Sequence, residues 1–314
     1  MNKNGYPETL VEAIRYFSDP DICLNFVAEL RWPMGVSCPR CQSKENYFLD
    51  TRKVWKCKGC KKQFSVKVGT IFESSPIGLD KWLPALWMVV NCKNGISSYE
   101  LARALGVTQK TAWFMTHRIR LAMQTETFQK IDGHVEVDET FIGGRARYMH
   151  RERREAKIKG RGPIGKVAVM GLLERNSAES HSTVRLSVVP NRRKGSLQGH
   201  VRANVEEGAN IYTDELMSYY GLHDDYVHAV INHAECYAKG NVHTNGMENF
   251  WSLLKRAIKG TYVSVEPFHL FRYLDEQSFR FNNRYKSDGN RFLSVLSAII
   301  GRRLTYNELI GETS

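Results

Sequence analysis

The stretch HVEVDETFIGG, residues 134–144, decides the fold of this chain. Val135 and Val137 alternate with Glu136 and Asp138, which is the pattern of a β-strand with one buried face. The glycine pair that follows ends the strand with a turn. Acidic residues beside a strand are usually only solvated, but a carboxylate near the exit of a strand can also hold a divalent metal. Two later carboxylates in similar settings favour the metal.

The composition indicates a globular protein with a polyanionic partner. With 314 residues, 42% of them hydrophobic, the chain can bury a large core in two or three domains. Its formal net charge of +12 at pH 7 is typical of nucleic-acid-binding proteins, although many basic proteins bind none. No apolar run reaches roughly 18 residues and no apolar signal segment opens the chain, so we expect a cytoplasmic protein without membrane contact.

Four of the seven cysteines form two CxxC pairs with the spacing C-x2-C-x15-C-x2-C: Cys38, Cys41, Cys57 and Cys60. Two such pairs on two tight turns can place four thiolates tetrahedrally around Zn²⁺, which predicts a structural zinc ribbon. Two redox-active pairs are the alternative, but they need a thioredoxin-like βαβ context that is absent here. The segment is rich in lysine and arginine, which suits DNA phosphates or a plain solvated face.

Residues 79–123 have the apolar spacing of helices. Within them, SSYELARALGVTQKTA at 97–112 places Gly106 in a turn between two helices, which predicts a helix-turn-helix. An ordinary helical pair in a bundle is the alternative. The side chains expected to contact DNA lie on the second helix: Gln109, Lys110, His117 and Arg118.

The second half of the chain predicts an α/β sheet. The strand that opens this half is followed by three further predicted strands: residues 167–173, 183–189 and 209–214. A helix is expected at 195–205, before the strand that ends in Asp214. The order β-β-β-α-β favours a three-stranded meander joined by a crossover to a further strand.

A later helix carries Glu248 and Lys255 on one face, seven residues and therefore two turns apart. The pattern Asn245-x-x-Glu248 is also that of a capping box, in which case Glu248 is only structural. The other possibility is that Asp138, Asp214 and Glu248 together hold two Mg²⁺ or Mn²⁺ ions roughly 3.5–4 Å apart for in-line phosphoryl transfer.

Taken together, these motifs resemble the DDE transposases of bacterial insertion sequences, specifically the zinc-ribbon ISXO-type group. The resemblance covers nearly the whole chain. It rests on LRWP before the ribbon, VDETFIGG, YTD, HTNGMENFWSLLKR with a following GTY, YLDE and RFNNR, at residues 30–33, 137–144, 212–214, 243–256, 260–262, 273–276 and 280–284.

The resemblance implies an RNase H-like mixed-sheet catalytic core, preceded by a zinc ribbon and a helix-turn-helix. It also implies metal-dependent strand cleavage and strand transfer at inverted-repeat DNA ends. It assigns Asp138, Asp214 and Glu248 as catalytic metal ligands and Lys255 as the accompanying basic residue. Related groups carry Asn at the third position, which Asn245 or Asn249 could supply here. His233 also fits the family pattern, either near the site or as a buried structural histidine.

The sequence therefore predicts five segments: an N-terminal helical segment at 1–33, the zinc ribbon at 34–76, the helix-turn-helix at 77–125, the DDE catalytic domain at 130–300 and a tail at 301–314. The expected partners are inverted-repeat ends, target DNA and further copies of the chain in a synaptic dimer or larger oligomer, in the cytoplasm at the nucleoid. Two other classes stay open: a sequence-specific DNA-binding regulator derived from a transposase, and a metal-dependent nuclease with the same core.

Overall fold

The computed structural model describes residues 5–124, 129–144, 150–157, 165–178, 180–231 and 242–312. The helices of these residues are α1 (Leu10–Tyr16), α2 (Pro20–Arg31), α3 (Leu79–Asn91), α4 (Ser98–Leu105), α5 (Gln109–Met123), α6 (Arg151–Lys157), α7 (Lys194–Asn204), α8 (Asn245–Ala257), α9 (Leu270–Asn282), α10 (Asp288–Ser297) and α11 (Tyr306–Ile310). The strands are β1 (Asn46–Leu49), β2 (Val54–Cys57), β3 (Gln63–Phe64), β4 (His134–Ile142), β5 (Val167–Glu174), β6 (Thr183–Val189), β7 (Asn210–Asp214) and β8 (Val227–Ile231). None of these helices has the length and apolarity that crossing a membrane requires.

The chain divides into two units, which we call the N-terminal unit (Met1–Gln124 with Tyr285–Ser314) and the sheet unit (Thr125–Arg284). This division differs from the boundaries predicted above, which placed residues 285–300 in the catalytic domain. In the structure α10 packs against α3 and α5 of the N-terminal unit. Hydrogen bonds also join α10 to this unit, since the Asn91 side chain donates to the Asp288 carbonyl at 3.2 Å.

The N-terminal unit is built around α3, whose apolar residues are buried all round the helix. Next to it, Ser97 and Glu100 form a capping box that starts α4, and Gly106 ends that helix with a φ of +61°. This left-handed conformation favours glycine. Thr108 then caps α5 by accepting the Thr111 N–H. Helix α4 therefore begins and ends, and α5 begins, where the sequence predicted.

The sheet unit contains a five-stranded mixed sheet in the order β6-β5-β4-β7-β8. β4, β5 and β6 form an antiparallel meander, while β7 and β8 run parallel to β4. A parallel partner needs a crossover, and α7 supplies it between β6 and β7. The RNase H-like mixed sheet predicted from the sequence is therefore confirmed, with β4 at its centre.

Both faces of this sheet are covered, which fixes the direction in which each β4 side chain points. Val135 and Val137 face the core under α7, together with Leu197 and Val201. On the opposite face α8 and α9 pack, through residues that include Met247, Phe250, Trp251, Leu254 and Leu274. Because side chains alternate along a strand, Asp138 lies on the α8 face and Glu139 on the α7 face.

Candidate active site

The acidic centre consists of Asp138, Glu139 and Asp214, whose carboxylate oxygens lie within 4.8 Å of one another. Pairing between the parallel strands β4 and β7 ends at Glu136 and Tyr212. Asp138 and Asp214 each lie two residues further on, so both carboxylates occupy the place where the strands part. The structure brings these two carboxylates together. Asp138 does not end its strand, however, since β4 continues to Ile142 beside β5.

Glu139 is the member of the centre that the sequence analysis did not include. The sequence indicates Asp138 as a metal ligand. Because side chains alternate along a strand, the neighbouring Glu139 is expected on the opposite face of β4, which argues against a shared site. In the structure the Tyr219 hydroxyl, which is buried, donates to Glu139 Oε1. Tyr219 lies just beyond β7, where the Leu216 N–H donates to Asp214 Oδ1 at 3.1 Å. These two bonds join the segment after β7 to the acidic centre.

Helix α8 contacts the centre through Trp251, whose indole Nε1 donates to Asp138 Oδ2 at 2.9 Å. The indole fits there because Gly171 on β5 lies directly opposite Asp138 in the strand register. A Cβ on Gly171 would lie 2.8 Å from the Trp251 ring and 2.2 Å from Met247 Cε. The missing side chain therefore makes the space from which Trp251 reaches the carboxylate.

A second buried carboxylate holds the N-terminus of α8. Glu136 is 1% exposed, and its Oε2 accepts the Met247 N–H at 2.9 Å. Its Oε1 pairs with Arg175 Nε at 2.8 Å, which compensates the buried charge. Gly246 is required at this contact, because a Cβ there would lie 2.8 Å from Glu136 Oε2. Glu136 thus holds α8 against β4. It lies two residues before Asp138 and on the same face of the strand.

This arrangement differs from the predicted capping box. The N-cap of α8 is Thr244, and no side-chain hydrogen bond caps the helix locally. Asn245 is instead the first helical residue. The carboxylate that accepts an N-terminal N–H of α8 is that of Glu136 on β4. The positive end of the helix dipole favours a negative charge at this position. Glu248 therefore does not have the capping role that the sequence pattern had left open.

The predicted third ligand, Glu248, is exposed in the first turn of α8 and is not a member of the 4.8 Å group. The negative charge of Glu248 still acts on Asp138 and raises the pKa of that carboxyl, although burial and Asp214 raise this pKa more. Lys255 is half-buried on the same helix, and burial lowers the pKa of its ammonium group, while Asp138 acts in the opposite direction. The assignment of Glu248 and Lys255 remains a prediction.

The electrostatics of the centre favour a bound cation. Burial raises the pKa of Asp138 to about 6 and that of Glu139 to about 7, and Asp214 adds repulsion to both. Carboxylates in this state gain a counter-charge when a divalent ion binds, because the ion favours their ionised forms. Their donors are all oxygen atoms, which fits Mg²⁺ or Mn²⁺ rather than a metal that prefers sulfur.

The four cysteines of the ribbon lie together as predicted. Sγ of Cys38 is 3.7 Å from Sγ of Cys60, and the Cys41 and Cys57 sulfurs are 3.6 Å apart. A disulfide would bring them to about 2.05 Å. Four thiolates at about 2.3 Å from a tetrahedral Zn²⁺ would be about 3.8 Å apart, so the cluster fits this ion. The Cys60 N–H lowers the pKa of the Cys57 thiol to about 6, which favours the thiolate that zinc needs.

The predicted DNA-contacting residues fall into two groups. Lys110 is exposed and Gln109 is half-buried, with its amide donating to Ser98 Oγ at 2.9 Å. His117 and Arg118 are buried, at 0% and 4% exposed. Arg118 donates to the backbone carbonyls of three residues: Ile71, Glu73 and Leu304. The prediction that His117 and Arg118 contact DNA is therefore corrected, because both side chains are buried. Helical spacing alone does not show which face of α5 packs against the rest of the N-terminal unit. His233 lies outside the described residues.

Replacing Trp251 with Phe tests the hydrogen bond to Asp138. Phe keeps the ring above Gly171 but removes the indole N–H, so we expect the acidic centre to bind Mn²⁺ about tenfold more weakly. Titration calorimetry measures this binding, and the thermal unfolding midpoint should change little. An unchanged Mn²⁺ affinity would show that this bond does not orient Asp138.

A mixed sheet with β4 at its centre, three carboxylates where β4 and β7 part, and a four-thiolate ribbon fit the DDE transposases, which have an RNase H-like core. Residues 130–282 match the family model described as the ISXO2-like transposase domain, and residues 18–63 match the transposase zinc-ribbon domain. The chain belongs to this zinc-ribbon family of insertion-sequence transposases.

A relative has also been found in an archaeon. An uncharacterized protein in transposable element ISH50 of Halobacterium salinarum is 27% identical over 259 residues. The match covers 77% of this chain and 84% of the relative. It therefore includes most of both chains, and the relative's description places it in a mobile element.

Proposed function

We propose that this transposase binds the inverted-repeat ends of its own insertion sequence and catalyses metal-dependent strand cleavage and strand transfer. The observation that carries the proposal is the acidic centre, in which Asp138, Glu139 and Asp214 converge within 4.8 Å on a sheet matched by the transposase domain. Their oxygen donors suit two divalent ions, which would activate the attacking hydroxyl and stabilise the leaving oxygen.

The residues of the chain position the reacting groups. Asp138 and Asp214 would hold the metal, and Trp251 keeps Asp138 in one orientation through its indole N–H. Glu136 holds α8 against β4, so that Glu248 and Lys255 stay beside the centre. Lys255 provides a positive charge for a DNA phosphate on the α8 side. Little further protein chemistry is needed, because phosphoryl transfer depends mainly on positioning and charge.

We assign DNA-end recognition to the N-terminal unit. The basic ribbon, held by zinc, would contact phosphates, while α4 and α5 would act as a helix-turn-helix. In this assignment Gln109 and Lys110 at the start of α5 reach DNA, since the first residues of a recognition helix enter the major groove. Joining two ends requires two copies of the chain, so we propose a homodimer or larger synaptic complex, acting in the cytoplasm at the nucleoid.

The proposal is tested with purified protein and a labelled duplex carrying the ends that flank its own gene. Wild-type protein in Mg²⁺ should nick the duplex and give joined products, and EDTA should abolish both. Tight binding of the ends without nicking in Mg²⁺ or Mn²⁺ would contradict the proposal and favour a DNA-binding regulator. Cleavage of any duplex regardless of its ends would favour a nuclease.

A pair of variants separates the two candidates for the third ligand. Glu139→Gln should weaken Mn²⁺ binding to the DNA-free protein about tenfold or more, because Glu139 belongs to the acidic centre. Glu248→Gln should leave this binding within about twofold, since Glu248 is exposed outside the centre. It should nevertheless slow cleavage about a hundredfold, because we propose that Glu248 moves to the metal once DNA is bound.

Calorimetric titration with Mn²⁺ measures the binding, and the end duplex measures cleavage. A Glu248→Gln protein that loses Mn²⁺ binding without DNA would show that Glu248 is already a ligand in the free protein. Full cleavage by this variant would exclude Glu248 and favour a nearby Asn.

A further inference from the structure

A basic residue, Arg192, lies on the opposite face of β4 from Lys255. The guanidinium carbon of Arg192 is 4.9 Å from the centroid of the Phe141 ring. Phe141 follows Glu139 by two residues, so both point to the α7 face. Arg192 and Glu139 are close enough for their charges to interact. The acidic centre therefore has a cationic residue on each side: Lys255 with α8 and Arg192 with α7.

The backbone around Arg192 is held in place. Asn191 Oδ1 accepts the Arg193 N–H at 2.9 Å and the Ser196 hydroxyl at 3.0 Å, which shapes the turn into α7. The Ser218 hydroxyl donates to the Arg192 carbonyl at 2.6 Å. Ser218 belongs to the same segment that carries Tyr219 from β7 to Glu139. The turn that presents Arg192 is thus bonded to the segment that completes the acidic centre.

Strand transfer brings two DNA segments to one centre, the transposon end and the target. Both carry phosphates toward three carboxylates, and each needs a nearby cation to offset the repulsion. On the α8 side, the charge of Lys255 interacts with those of Lys259 and Lys166. This group suits the transposon end. Resting on the proposed function, we infer that Arg192 binds a backbone phosphate of the target DNA on the α7 side.

The side chain suits that role. Arg192 is exposed, so a phosphate can approach it without a change in the fold. Its guanidinium lies over the Phe141 ring, and an arginine stacked on an aromatic ring still presents N–H donors along its edge. Two of these donors can engage one phosphate in parallel, which a lysine cannot do. Phe141 would limit the positions that the guanidinium adopts.

The experiment separates end cleavage from joining. Full-length wild-type protein, Arg192→Ala and Arg202→Ala are compared in Mg²⁺ on uncut ends, and on precut ends with a plasmid target. Arg202 is the matched control, because it lies exposed on α7, the helix that follows Arg192, and pairs instead with Asp225 at 2.7 Å. Thermal unfolding of each variant checks that the fold is kept.

We expect Arg192→Ala to lower joining of precut ends about tenfold while cleavage stays within about twofold. A plot of the logarithm of the joining rate against the logarithm of the salt concentration should become shallower by about one unit of slope, as the loss of one phosphate contact requires. Arg192→Lys should recover part of the joining, and Arg202→Ala should resemble wild type.

Three results would overturn the inference. Joining by Arg192→Ala within about twofold of wild type would show that the target does not contact this residue. Equal losses of cleavage and joining would place Arg192 on the transposon end instead. A wild-type protein that cannot join even precut ends would remove the proposed function, and with it the role of Arg192.

Discussion

Asp138→Asn is expected to abolish cleavage of transposon ends, with a loss of about a thousandfold or more. Asn has the same shape and can still accept the Trp251 N–H, but it brings no negative charge to a divalent ion. Metal ions contribute several kcal/mol to phosphoryl transfer, and each 1.36 kcal/mol is a factor of ten in rate. Cleavage is measured with the labelled end duplex in Mg²⁺ and again in Mn²⁺.

The same substitution should leave the fold intact. The pKa of Asp138 is raised to about 6, so the folded state disfavours the ionised carboxyl, and this cost grows as the pH rises through that value. A neutral Asn removes the cost. We therefore expect the metal-free variant to unfold at or above the wild-type temperature at pH 8.

A control for this variant is Asp224→Asn, which makes the same chemical change at an exposed aspartate outside the acidic centre. It should cleave like wild type. Asp138→Asn should bind transposon ends within about twofold of wild type. Loss of end binding together with cleavage would contradict the assignment of Asp138 as a catalytic ligand.

Cys57→Ser is expected to remove the zinc and unfold the ribbon. A serine hydroxyl is a poor replacement for a thiolate, and Cys57 is buried in the four-sulfur cluster. Structural zinc contributes roughly 10–16 kcal/mol of apparent binding energy, which is comparable to the whole stability of a typical domain. Zinc content should fall from about one ion per chain to nearly none. Hydrogen exchange at residues 36–64 should become fast.

The matched control is Cys92→Ser, because Cys92 lies in the same unit outside the cluster. It should keep its zinc. End binding by Cys57→Ser should be lost as well, since we assign phosphate contacts to the ribbon. A Cys57→Ser protein with full zinc content and slow exchange would contradict the four-thiolate site.

Features that depend on local spacing were predictable from the sequence. The two CxxC pairs predicted the thiolate cluster, because a metal site of this type needs only two short turns. Gly106 and the cap at Ser97 predicted the ends of α4 for the same reason. The alternation around Val135 likewise predicted β4 and the face that it buries.

Features that depend on contacts between distant segments could not be predicted from the sequence. Glu139 joins the centre although it lies on the opposite face of β4 from Asp138, because Asp214 lies where β4 and β7 part and is within 4.8 Å of both carboxylates. The sequence of α8 does not indicate the bond from Trp251 to Asp138, because the space for the indole is provided by Gly171 on another strand. Arg118 looked like a DNA contact, yet it binds carbonyls more than 40 residues before it and more than 180 after it.

We propose that the acidic centre cuts DNA with a divalent metal ion bound at the scissile phosphate. The most direct test replaces one non-bridging oxygen of that phosphate with sulfur and compares cleavage in Mg²⁺ and Mn²⁺. Sulfur is a poor ligand for Mg²⁺ and a better one for the softer Mn²⁺. We predict that one of the two sulfur diastereomers slows cleavage about tenfold or more in Mg²⁺, and that Mn²⁺ restores it. Equal cleavage of the oxygen and sulfur substrates in both metals, or cleavage that persists in EDTA, would contradict the account.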